Sequence, residues 1–367
     1  MSIIDKLTKK FDTSNVVKFS SINPFENKDN FLHTGSSELD FNLGTYGFPP
    51  CFIEIAGESK GGKTTIALMA MKDFQIKNPD GVSVILSSEE RDNNQYAKQI
   101  GVDTSRVIII KSKFVEDLFY QFQELIDSTK IFWKEEGLKG KPKIFCFWDS
   151  VGATNSRAQQ ETFRKNMVIN RKNLENGTKT DLKSPVMADF AKAATMCLKV
   201  ILSQLYENDI VFIALNHLKD KFDSPGKYTS GGRVFEYLPS IRLWMTRIEW
   251  IKLPEGDLEI ETGQITKVKI EKSDFGGRKS TNIEILLGWG IVLSKEDIAY
   301  AVEKGILKKD GAKKLSFGAG KLSWSTKREF YALYKTKHKL LPLLHNLVKK
   351  ARHKDVEATK DIDNDEE

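Results

Sequence analysis

The segment CFIEIAGESKGGKTT (51–65) constrains the fold of this 367-residue chain more than any other stretch. A continuous apolar run enters a glycine-rich loop, and the helical pattern TTIALMAMKDFQI (64–76) follows at once. Strand, loop and helix in this order are the context that the phosphate-loop pattern needs, here Gly57-x4-Gly62-Lys63-Thr64. Along Gly57, Glu58, Ser59, Lys60, Gly61 and Gly62 the glycines let backbone N–H groups converge on phosphate oxygens. The helix that begins there adds the positive end of its dipole. Lys63 is placed to neutralise outer phosphates and the Thr64 hydroxyl to ligate Mg²⁺, with Thr65 next in the same turn. A nucleotide with Mg²⁺ is therefore expected, and ATP is the expected nucleotide.

Further apolar runs recur as VSVILSS (82–88), RVIII (106–110), KIFCFWD (143–149), IVFIALN (210–216) and IRLWMTR (241–247). Longer helical patterns, such as 114–133, lie between most of them. Unbroken apolar strands alternating with helices predict an α/β core, a mainly parallel sheet covered on both faces. The strands 265–272 and 281–287 are joined by a short Gly-Gly turn without a helix and predict an antiparallel hairpin at the sheet edge.

Several strands end in polar residues, at the carboxyl edge where open α/β sheets bind ligands. Asp149 closes 143–149 and is expected to hold Mg²⁺ beside Thr64, although an Asp there could also cap the next turn. Glu89 and Glu90 follow 82–88, and either carboxylate could orient and deprotonate an attacking water. Asn216 and His217 end 210–216, and either could sense a γ-phosphate and relay its state to the glycine-rich stretch that follows.

Two long stretches, 152–186 and 217–240, break the alternation and read as irregular loops, which at this length are usually functional. Residues 1–31 form a polar N-terminal segment with a short amphipathic start, and 291–350 a small lysine-rich helical domain. Residues 351–367, ending in DIDNDEE, read as a disordered acidic tail. With 57 basic and 50 acidic residues the net charge of +7 permits a polyanionic partner without demanding one. No apolar run approaches the roughly 18 residues of a membrane span, and the N-terminus does not read as a secretory signal. Cys51, Cys146 and Cys197 lie far apart in apolar segments, which predicts buried free thiols in a reducing compartment rather than a zinc site.

The order of these motifs, from about His33 to Gly290, resembles the RecA-type strand-exchange recombinases, including a phage branch. HTGSSELDFNLG (33–44) is similar to the family's segment before the phosphate loop. EERDNNQYAKQIGVD (89–103) is similar to the segment with its catalytic glutamate and adenine-stacking tyrosine, which selects Glu89 and Tyr96. TSGGRVFEYLPSIRL (229–243) resembles the end of the second DNA-binding loop, and KVKIEKSDFGGRKS (267–280) the strand whose cations reach a neighbour's nucleotide. Lys272 matches the first of those cations; Asp274 stands in place of the second, which Arg278 or Lys279 could replace. His217 stands where bacterial members commonly carry glutamine.

The resemblance implies a RecA-like core at 32–290, an oligomerising segment at 1–31, and a helical homo-oligomeric filament with ATP between protomers. It implies a cytoplasmic DNA-dependent ATPase of a bacterium or of a phage-infected bacterial host. Single-stranded and duplex DNA are its expected partners, with single-strand-binding and mediator proteins beside them. The first mobile loop, 152–186, would offer Arg157, Arg164, Lys165, Arg171 and Lys172 to phosphates. The second, 218–239, would offer Lys219, Lys221, Lys227, Arg233 and the aromatic Phe235, a mixture suited to single strands. Two other functions share the ATP site: a hexameric helicase-like motor, and a DNA-annealing or mediator protein that uses nucleotide as a switch.

Overall fold

In the computed structural model the residues described are 31–89, 94–175, 187–220, 226–255, 258–277, 280–336 and 338–365. The segment 1–30, Glu90, Lys221, Arg278 and Lys279, and 176–186 of the first expected loop lie outside them.

One ten-stranded sheet organises the chain, in the order β10-β9-β8-β7-β1-β5-β4-β2-β3, with β6 paired to β5 off this path. Its parallel half is β1 (Phe52–Gly57), β2 (Val82–Ser87), β3 (Val107–Lys111), β4 (Ile144–Asp149) and β5 (Val211–Asp220). The antiparallel half is β7 (Ile241–Glu255), β8 (Leu258–Ser273), β9 (Ser280–Leu286) and β10 (Gly290–Val292), and β7 joins β1 in parallel. The expected hairpin is β8–β9, but β8 lies between β7 and β9 and short β10 pairs with β9, so β10 rather than the hairpin forms the sheet edge. The short β6 is Lys227–Thr229.

Side chains alternate between the two faces of a strand, and both faces are apolar here. On one face Ile53, Ile55 and Ile213 pack with Leu39 of α1, the helix Ser37–Asn42, and with Ile66, Leu68 and Phe74 of α2, the helix Lys63–Lys77. The helix α3, Asn94–Ile100, adds Ala97 and Ile100 to that side. On the other face Phe52, Trp148 and Phe212 pack with Leu118 and Phe122 of α4 (Val115–Glu135) and Leu198 of α6 (Met187–Glu207). Such two-sided burial is why these strands read as unbroken apolar runs. Cys51 and Cys146 are free and buried; Cys197, also free, is half-buried.

Three expectations are corrected. The stretch 152–186 is not an irregular loop throughout: Arg157–Glu175 is a helix, α5. No residue described along it is buried, and its apolar residues Phe163, Met167, Val168 and Ile169 stand exposed among Arg, Lys, Asn and Gln, so the polar composition hides the helix. The segment after the core is not purely helical. It holds α8 (Lys295–Glu303), then a three-stranded sheet of β11 (Lys308–Asp310), β12 (Lys314–Phe317) and β13 (Leu322–Trp324), then α9 (Lys327–Lys335). Turn glycines 311, 318 and 320 cut its lysine-rich sequence into strands too short to carry a visible alternation. The acidic tail is not irregular either: α10 runs Leu341–Asp365. Its first turns are anchored by buried Leu344 and Val348, by Lys349 on Asp73 (3.3 Å) and by Arg352 on Asp297 (3.1 Å).

Candidate nucleotide site and nucleic-acid interface

The carboxyl ends of β1, β2, β4 and β5 converge on the N-terminus of α2. Gly62 caps that helix with φ 95°, a left-handed conformation that favours glycine. A Cβ there would lie 2.3 Å from Ile285 Cδ1 on β9, so the loop is pressed onto the antiparallel half. Thr266 on β8 supports it from below, its hydroxyl donating to the Gly61 carbonyl at 3.2 Å.

Lys63 folds back on its own loop. Its Nζ donates to the carbonyls of Gly57 (3.0 Å) and Glu58 (2.8 Å). Burial lowers its pKa, and Asp149, Glu89 and Glu58 pull it back up. Thr64 Oγ1 donates to Asp149 Oδ2 at 3.2 Å, which brings the two expected metal ligands together. A hydroxyl and a carboxylate are hard oxygen donors of the kind Mg²⁺ takes, the rest of its shell coming from phosphate and water. Among the described residues no cluster of three or more His, Cys, Asp or Glu could hold a metal by itself.

A cavity of about 660 Å³ opens from Lys60–Thr65. Glu89, Asp149 and Tyr96 are among the residues that line it. The Tyr96 hydroxyl meets Thr65 Oγ1 at 2.8 Å, and burial raises its pKa. Trp250 and Gln264, on β7 and β8, close a wall that no sequence motif announced. Glu89 is exposed to the cavity and accepts from Ser150 Oγ at 3.5 Å. His217 leaves β5 opposite Gly57 and packs over Gly152. Burial first, then the charge of Lys63, pushes its pKa down, favouring the neutral imidazole.

Beneath His217 lies a buried polar trio that sequence reading missed in part. Glu54 on β1 accepts from Asn216 Nδ2 (2.8 Å) and from Arg242 Nε (2.7 Å). Asn216 also donates to the Ser230 carbonyl (2.8 Å) and accepts from the His217 N–H (2.8 Å). Burial raises the pKa of Glu54, while Arg242 and Asn216 oppose that shift. A lone acid inside CFIEIAG and Arg242, the second residue of the apolar run IRLWMTR, are the available signals.

The expected DNA contacts fall into three groups. Arg164, Lys165, Arg171 and Lys172 are exposed on α5, and Lys219 and Arg233 are exposed around the second loop. Arg157, Lys227 and, although exposed, Lys165 are engaged within the chain: Arg157 pairs with Asp117 at 2.6 Å, Lys227 with Glu58 at 2.8 Å and Lys165 with Glu161 at 2.7 Å. Phe235 is a correction. It sits on α7 (Val234–Tyr237), is fully buried, and packs against Phe52 (6.1 Å) and Trp148 (6.2 Å), so it cannot stack on bases. Phe235→Leu is expected to cost about 1 kcal/mol of stability and to leave single-strand affinity unchanged, as urea unfolding and oligonucleotide titration would show. Lys272 is half-buried and outside the cavity lining. Its Nζ donates to the Tyr237 and Pro239 carbonyls at 3.0 and 2.8 Å and pairs with Asp274 at 3.3 Å.

Fold and site together define a phosphate-loop protein built on a mixed ten-stranded sheet. The family described as the RecA N-terminal domain matches residues 1–132. Protein RecA of Chlorobaculum tepidum is 30% identical over 297 residues, covering 79% of this chain and 75% of the relative. Protein RecA of Chlorobium limicola is 29% identical over 325 residues, 87% and 82% of the two chains. That of Chlorobaculum parvum is 29% identical over 297 residues, 79% and 75%. The chain belongs to the RecA family of ATP-dependent recombinases. No described helix is long and apolar enough to cross a membrane.

Proposed function

We propose that this chain binds ATP and Mg²⁺ at 57–65, assembles as a helical filament on single-stranded DNA in the cytoplasm, and couples ATP hydrolysis to homologous pairing. The observation that carries the reading is the convergence of Lys63, Thr64, Asp149, Glu89 and His217 at one sheet edge, with β5 continuing from His217 into the second loop. When bound, the metal ion neutralises charge on the phosphate oxygens. Thr64 and Asp149 hold it. Lys63 turns from its carbonyl partners to the phosphates. Tyr96 offers its ring to the base. Glu89 orients the attacking water and takes its proton. His217, kept neutral, donates its ring N–H to the terminal phosphate and carries that contact into β5.

In this reading 32–290 is the ATPase core, 1–31 serves oligomerisation, and α5 and 218–239 face the DNA. Lys272 must leave the Tyr237 and Pro239 carbonyls to reach a neighbour's nucleotide. Electron microscopy with single-stranded DNA and a slowly hydrolysed ATP analogue is the direct test: filaments are expected, and closed rings or unassembled protein would refute the reading. Arg233 is exposed at the return of the second loop. Arg233→Gln is expected to weaken binding to dT oligonucleotides and to make the salt slope shallower by roughly 0.7. An unchanged slope and affinity would remove Arg233 from the DNA contacts.

A further inference from the structure

We propose that Glu58 couples the phosphate loop to the second loop: its carbonyl holds Lys63, its carboxylate holds Lys227, and single-stranded DNA competes with it for Lys227. The inference rests on the reading of 218–239 as a DNA-binding segment.

Both contacts of Glu58 are 2.8 Å long. Lys63 is the cation of the phosphate loop. Lys227 opens β6, the strand that pairs back on β5, and stands opposite Asp220 across that ribbon. One residue therefore touches a cation of each segment, 5 and 169 positions away in sequence. Two further cations, Arg247 and Lys63, lie close enough to bear on the carboxylate, and with Lys227 they hold it below the usual range. Glu58 is thus anionic at neutral pH.

The two ends of the β5–β6 ribbon differ in their anchorage. At the inner end Ser230 is held by buried Asn216, and Thr229 Oγ1 lies 3.5 Å from Arg242 Nη2. At the outer end the Lys227–Glu58 pair is open to water, the side chains 34% and 51% exposed. An exposed ion pair is worth little and exchanges readily. A DNA phosphate arriving on the ribbon offers Lys227 an equivalent anion. The inner end stays fixed while the outer end changes partner, and Glu58 is left with an uncompensated charge beside the loop that must accept phosphates. Arg247 and Lys63 are then the cations that still bear on it. DNA occupancy is thereby felt at the nucleotide site, and by linkage nucleotide occupancy is felt at Lys227.

The test is a double-mutant cycle in the full chain, without nucleotide, read by titration of a dT oligonucleotide over a range of salt. Glu58→Gln keeps the backbone contact to Lys63 and releases Lys227, so single-strand affinity is expected to rise about two- to fivefold, the range of an exposed ion pair. Lys227→Gln is expected to weaken binding and reduce the salt slope by roughly 0.7. In the Lys227→Gln background Glu58→Gln is expected to change nothing, which separates exchange from a general gain of positive charge. A second readout is MgADP affinity without DNA: Lys227→Gln should lower it, and adding Glu58→Gln should restore it. A Glu58→Gln protein with unchanged or lower DNA affinity, or an equal gain in both backgrounds, overturns the exchange. Lys227→Gln without effect while Arg233→Gln weakens binding overturns the exchange alone. Both without effect removes the whole loop from the DNA site.

Discussion

Glu89→Gln is expected to lower DNA-stimulated ATP hydrolysis by about 10²–10⁴-fold, the contribution of a positioned general base, while MgATP binding persists. The reasoning starts from the cavity. Glu89 follows β2 and lines the same cavity as Lys63, Thr64 and Asp149. Among the described residues its carboxylate accepts a long bond from Ser150 Oγ, 3.5 Å, which leaves it able to turn toward a water. The amide has the same shape and still accepts from Ser150, but cannot take a proton. Lys63→Ala acts differently, removing the cation itself, so binding and turnover should fall together. Phosphate release measured beside binding of a fluorescent ATP analogue separates the two. Near-wild-type turnover in Glu89→Gln would show that another group is the base. With turnover blocked, filaments on single-stranded DNA should outlast those of the unaltered chain.

The parts of this site that sequence made visible are those fixed by local chemistry. Gly57 to Thr65 announces itself because strand, loop and helix are consecutive. Asp149 and Asn216 are visible because each ends an apolar run, and that run is apolar because its strand is covered on both faces. The hidden parts depend on sheet order or on burial. Glu54 and Arg242 are 188 positions apart and meet only because β7 docks beside β1. Lys227 looks like a phosphate contact in a glycine-rich, basic stretch, yet the return of β6 onto β5 delivers it to Glu58. Phe235 looked like a base-stacking residue for the same compositional reason. The turn at Gly231 instead tucks its ring into the cluster of Phe52 and Trp148. In α5 composition misleads the other way: the helix has no buried residue along its described length, its few apolar residues are diluted by Arg, Lys, Asn and Gln, and its Glu161–Lys165 pair at 2.7 Å is too common a spacing to mark it.

Arg242→Met should be the most damaging single change to stability outside the aromatic core, costing about 3–5 kcal/mol at neutral pH, the usual cost of leaving a buried charge without its partner. Glu54 has no exposure to solvent and Arg242 very little, 0% and 9% of their side chains. Asn216 would remain on Glu54, but it supplies one neutral hydrogen bond where a cation stood at 2.7 Å. Burial already raises the Glu54 pKa, and losing the guanidinium raises it further. The native state of the variant therefore binds a proton that the unfolded chain releases at the ordinary carboxylate value. A raised folded pKa gives stability that is full below the unfolded value and is lost as pH rises through the folded one. The variant should thus recover part of its deficit as the buffer is made mildly acidic, whereas a simple packing defect would not. A Glu54→Leu, Arg242→Met double variant should be far less destabilised than Arg242→Met, because no charge is left buried. It should still disturb the second loop, since Arg242 Nη2 also reaches Thr229. Urea unfolding of the three proteins at neutral and mildly acidic pH measures all of this. A loss below about 1 kcal/mol for Arg242→Met, flat across pH, would show that the pair carries no net charge–charge stabilisation.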